Sequence, residues 1–161
     1  MLDEVYQLQS NIINVIGEFV IHWSLFEEFY QGRNANPMKI KGLNLSIFDF
    51  GDKPERFRIL LCDHIKQRGL RVDEEGIFKV LFTATGDKGW LPTAKEFILG
   101  NSDDAHDCLI CVYRIRNNLL HGEKEIFSLR SQKDLIQSAS DILSVMTGWD
   151  DHLRWKMAKW D

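Results

Sequence analysis

The chain has 161 residues, with 44% hydrophobic and 27% charged side chains and a formal net charge of −4. That length and balance fit one globular domain with a sizeable core. No apolar run approaches the roughly 20 residues of a membrane span. The acidic balance excludes a binder that covers nucleic acid with a broad basic face, though not an enzyme that grips a few phosphates locally.

The opening Met1-Leu2-Asp3-Glu4 carries acid where a secretory signal carries lysine or arginine. The cysteines number three, Cys62, Cys108 and Cys111, and an odd count fits reduced thiols better than a disulfide framework. A cytoplasmic protein is expected. An acidic body of this kind also suits a basic partner.

Helical signals recur along the chain, and strand-like alternation is nearly absent. A first long helix is predicted from Asp3 to Tyr30, with apolar residues at Val5, Leu8, Ile12, Ile13, Ile16, Phe19, Val20, Trp23, Phe26 and Phe29. Gly32 ends it. Residues 32–52 read as an irregular insertion punctuated by Gly32, Pro37, Gly42 and Gly51. Within it the alternation of Leu43, Leu45 and Ile47 suggests a short extended segment, and its apolar content says that this flap packs on something.

Pro54 and Glu55 open a second helix that runs to Arg68 before Gly69. Asp73-Glu74-Glu75 opens a third, whose buried side is Ile77, Phe78, Val80, Leu81 and Phe82. A short helix follows over Thr93 to Leu99. A fourth major helix starts at Ser102-Asp103-Asp104 and ends at His121 and Gly122. Ser131-Gln132-Lys133-Asp134, a capping box with aspartate in the glutamate position, starts the last, which Gly148 kinks before the tail of Trp149, Trp155 and Trp160. The predicted fold is therefore all-α, a bundle of about five helices with an irregular insertion near residues 32–52, in one domain spanning the chain.

Chemistry concentrates near the end of the fourth major helix. At about 100° per residue, Asp107, Arg114, Asn117, Asn118 and His121 share one face, and Leu109, Val112, Ile115, Leu119 and Leu120 the other. Arg116 falls on the apolar side, between Val112 and Leu120. An unpaired buried guanidinium is very costly. Either Arg116 pairs with an acid such as Glu27 or Glu28, or the helix bends before it, or this side borders a polar seam between subunits. His121, in turn, is placed to stabilise the negative end of the helix.

The run Tyr113-Arg114-Ile115-Arg116-Asn117-Asn118-Leu119-Leu120-His121-Gly122 resembles the signature of the HEPN superfamily: arginine, a polar residue that is often asparagine, three variable residues, then histidine near a helix end. An all-α chain and an aromatic-acidic segment on the first helix, Trp23-Ser24-Leu25-Phe26-Glu27, are similar to that family as well. The resemblance implies a metal-independent, cofactor-free ribonuclease acting on RNA as a homodimer, with the two motifs meeting at the interface.

Carried over, the catalytic residues are Arg116, Asn117 and His121. His121 serves as general acid or base, Arg116 holds the scissile phosphate, and Asn117 orients His121 or binds the phosphate. Arg114, Asn118 and Lys124 surround the motif and widen the phosphate grip; for Arg114 and Lys124, solvated surface charge is the competing reading.

A toxin or antiviral defence effector is the implied role, with an antitoxin or other neutralising protein as a further partner. One departure stands out: toxins paired with a nucleotidyltransferase antitoxin carry a tyrosine two residues after the histidine, and this chain has Glu123. The alternative function is a non-catalytic HEPN-like dimer that binds RNA, a nucleotide or a protein. Cys108-Leu109-Ile110-Cys111, close to His106, has the spacing of a metal or redox motif, but it lacks a second ligand pair and an α/β setting, so it reads as core packing. The tail tryptophans read as closing the core or the dimer, with base stacking as a lesser alternative.

Overall fold

A computed structural model describes residues 2–82, 88–120 and 132–148, the side chains of 2, 5–10, 88, 119 and 120 excepted. Among the described residues seven α-helices and one turn of 3-10 helix make up the regular structure, and no strand is found. The all-α expectation holds.

The longest helix, α1 (Leu2–Tyr30), buries an edge of Ile12, Val15, Phe19, Trp23 and Phe26. Its steps of three and four residues are those of one helix face. This edge packs on α7 (Lys133–Thr147), whose Leu135, Ile136, Ala139, Ile142, Leu143 and Met146 are buried in return. The Tyr30 hydroxyl donates to the Met146 carbonyl at 2.5 Å, joining the C-terminal ends of the two helices. The expected apolar set of α1 is too wide, however. Ile13 (53%), Val20 (39%) and Phe29 (57%) are exposed, because apolar residues occupy both sides of α1 and only one side meets the core.

The insertion holds a helix that periodicity does not reveal, α2 (Pro37–Lys41). It is one turn long, with Pro37 at its start and the Asn36 side chain accepting from the Lys39 amide. The expected extended segment is not formed: Leu45 points inward and Ile47 outward, without strand pairing. Ile40, Leu45 and Phe50 anchor the insertion in the core, as its apolar content requires.

α3 (Lys53–Gln67) buries Phe57, Leu61, His64 and Ile65 and packs against α7 as well. α4 (Glu74–Leu81) starts where Asp73 accepts from the Gly76 amide at 2.9 Å. A 3-10 turn (Lys88–Trp90) leads into α5 (Leu91–Ile98). α6 (Ala105–Leu120) lies against α2 and α5. At its end α7 meets Gly148, whose φ of 62° closes the helix instead of kinking it. Among the described residues, no helix is long and apolar enough to cross a membrane.

Gly76 is required by its surroundings. A Cβ there would sit 1.9 Å from the Arg71 carbonyl oxygen and 3.4 Å from Cγ2 of Ile65. In an open helix alanine outranks glycine by about 1 kcal/mol. Here the backbone leading into α4 must move, so Gly76→Ala is expected to cost about 1–3 kcal/mol, the range for overpacking. Urea denaturation measures it; a Gly76→Ala protein as stable as wild type would show that Arg71 does not pack over the helix start.

Candidate functional site

α6 is the most enclosed helix of the bundle. None of its described side chains, from Ala105 to Asn118, is exposed. Of the polar face read from the sequence, Asp107 and Arg114 are therefore buried and Asn117 and Asn118 half-buried.

Arg114 shows the consequence. It is buried, its Nε donates to the Leu81 carbonyl at 3.0 Å, and its guanidinium carbon lies 4.7 Å from the centre of the Phe82 ring. One turn further on, the Asn118 amide donates to the Val80 carbonyl. Val80 and Leu81 end α4, where the last carbonyls have no partner within the helix. Arg114 and Asn118 supply those partners, and the cation also suits the negative end of α4. Arg114 and Asn118, expected to widen the phosphate grip, thus each commit one donor to backbone inside the fold, and Arg114 is buried where the competing reading had a solvated surface charge. A sequence signal exists: α4 runs into Phe82-Thr83 with no glycine at its stop, so its carbonyls need donors from elsewhere.

Arg116 is placed differently. It is half-buried, with its guanidinium carbon 5.9 Å from the centre of the Trp23 ring on α1. Its Nη1 donates to the Asn117 side-chain oxygen at 3.1 Å, while its buried Nε has no hydrogen-bond partner. The expected acids are engaged elsewhere. Glu28 pairs with Arg33 at 3.2 Å, and Glu27 accepts from the Ala35 amide at 3.1 Å. Among the described residues the guanidinium on the apolar side is thus met by an indole face of the same chain, a cation–π contact, and not by a carboxylate. Trp23 is in turn fixed by ring contacts with Phe19, Phe26 and Tyr113, at 6.5, 5.2 and 6.1 Å. Sequence reading named Trp23 only as part of an aromatic segment and missed it as the platform for Arg116.

Asn117, expected to orient His121 or bind phosphate, has Arg116 as its described partner. His121 follows the last residue of α6 directly, and both His121 and Lys124 lie outside the described residues. The Ser131 end of the capping box and the tryptophan tail lie outside them too. Gln132, which directly precedes α7, makes no side-chain capping bond.

No protein-family model, curated protein or solved structure matches this chain.

Cys108 and Cys111 are fully buried in the core. Burial pushes both thiols well above their ordinary range, helped by nearby Asp107, so the reactive thiolate is suppressed. Cys62 on α3 is half-buried and donates to the Ile98 carbonyl at 3.4 Å.

Proposed function

We propose that the chain is a HEPN-type, metal-independent endoribonuclease that acts as a homodimer, in the role of a toxin or defence effector. The observation that supports this best is Arg116: a half-buried cation steadied by an indole face and an asparagine, without a carboxylate partner among the described residues, and with one buried N–H unmatched. Such a group is favourable next to an anion. A phosphodiester brings acceptor oxygens in the planar geometry that guanidinium groups bind well.

In this reading His121, one residue beyond α6, takes the proton from a 2′-hydroxyl. The 2′-oxygen attacks phosphorus, the bond to the 5′-oxygen breaks, and a second imidazole protonates the leaving oxygen. The products are a 2′,3′-cyclic phosphate and a 5′-hydroxyl, with no water consumed. A single histidine per chain does not readily fill both proton-transfer roles at once, and the partner subunit's copy of the motif supplies the second. Asn117 acts through Arg116, holding the guanidinium in register. Lys124 remains a candidate phosphate contact.

A second reading, a non-catalytic dimeric module for RNA, a nucleotide or a protein, draws support from Arg114 and Asn118. With one donor of each committed to α4, these two residues have fewer groups left for gripping a backbone. RNA cleavage in EDTA separates the two. Wild-type activity lost in an Arg116→Ala/His121→Ala double variant supports the nuclease; binding with equal RNA decay in both proteins supports the module.

A further inference from the structure

The other end of α6 carries a histidine that the proposed reaction does not use. His106 sits in the first turn of the helix with both ring nitrogens in contact. Nδ1 lies 2.7 Å from a carboxylate oxygen of Asp104, and Nε2 lies 2.7 Å from the backbone carbonyl of Leu43, in the loop after α2. Both partners can only accept. A neutral imidazole has one N–H and must turn a lone pair toward one of the two oxygens; the charged ring has a donor for each.

We propose that His106 is a proton-operated clasp that fastens the insertion to α6 while doubly protonated and releases its Leu43 stretch on losing a proton.

The surrounding charges agree with this. The same Asp104 oxygen also accepts the His106 backbone amide at 2.9 Å, so the carboxylate is held in place. Lys41, at the end of α2, is the one cation in the cluster, and it is ion-paired with Asp107 of α6. The second Asp107 oxygen accepts from the Ser102 hydroxyl at 2.7 Å. Asp103 is exposed beside them. Burial and, more weakly, Lys41 oppose charge on His106, but the Leu43 carbonyl and Asp104 outweigh them and raise its pKa above the ordinary histidine value. Asp104 moves the other way: partial burial opposes ionisation, and the contacts from His106 more than offset it.

The sign follows from linkage. A raised folded-state pKa makes the His106 contribution complete below the unfolded value of about 6.5, and it is lost as pH rises through the folded value. When the ring neutralises, the remaining proton stays on Nδ1, because the carboxylate is the stronger acceptor. The Nε2 lone pair then faces the Leu43 carbonyl. Ile40 and Leu45, buried on either side, keep the rest of the insertion seated, so the opening is confined to the turn around Leu43.

Hydrogen exchange of the 42–46 amides, corrected for the intrinsic pH dependence of exchange, tests this at about pH 6 and about pH 9. Wild-type protection should fall about tenfold between the two, while His106→Gln, which has no charge to lose, should show protection that does not change with pH. Nitrogen NMR of the wild-type ring needs no variant and should find the second ring proton lost above the ordinary histidine value of about 6.5. Protection that ignores pH in wild type, a pH dependence retained in His106→Gln, or a ring that loses its second proton at or below the ordinary histidine value would each overturn the clasp.

Discussion

Arg116→Ala should lower the rate of RNA cleavage about 100- to 1,000-fold, the usual cost of removing one preorganised donor to transition-state charge. The loss should appear in kcat more than in KM, because the negative charge that Arg116 meets grows as the 2′-oxygen attacks. Stability should change little. Among the described residues Arg116 makes one side-chain hydrogen bond and one cation–π contact, and the latter contributes about 0.5–1 kcal/mol at a partly open site. Its removal strands no carboxylate among them, since Glu27 and Glu28 have other partners. Single-turnover cleavage beside urea denaturation separates the two effects. A variant that cleaves at the wild-type rate would show that Arg116 does not touch the reacting phosphate; one that unfolds would make it a structural residue.

Trp23→Ala is expected to have the largest effect on stability. The indole is 3% exposed and packs against three other rings, so its truncation should cost about 3–5 kcal/mol. Small domains are stable by only about 5–15 kcal/mol, so this removes a large fraction of the total. Trp23→Phe retains most of the ring packing and a weaker cation–π face. It should remain folded at room temperature and slow cleavage by less than Arg116→Ala does. Melting curves and cleavage rates on the two Trp23 variants measure this. Full activity in Trp23→Phe would mean that the indole holds the core alone; full stability in Trp23→Ala would contradict the packing itself.

Where the chain punctuates itself, the helices were legible from sequence. Asp73 before α4 and Pro54 early in α3 fall where capping chemistry puts them, with boundaries within a few residues, whereas Gly148, read as a kink, ends α7. α2 escaped because a five-residue helix completes too few turns to show a period. On α1, periodicity showed which residues share a face but not which face meets a neighbour, so Ile13, Val20 and Phe29 were counted with the core.

The same limit governs the site. Helix geometry correctly put Arg116 on the apolar side. Its partner, Trp23, lies on a helix distant in sequence, and no spacing rule connects the two. Arg114 and Asn118 show the same limit. A polar helix face shows that donors are present, and only the packing shows that one donor of each meets a carbonyl of α4. Trp23 also answers the guanidinium's placement within one chain, so the case for a dimer now rests on the need for two imidazoles and not on a seam beside Arg116.

In the proposed reaction His121, five residues after Arg116 in the chain, cleaves RNA without a metal. The most direct test incubates RNA with purified wild-type and His121→Ala protein in excess EDTA and identifies the product ends. Wild type should cleave, leaving 2′,3′-cyclic phosphate and 5′-hydroxyl ends, and His121→Ala should be slower by about 100- to 10,000-fold, the range for a lost acid–base group. Cleavage abolished by the chelator, or an equal rate in the two proteins, would contradict it.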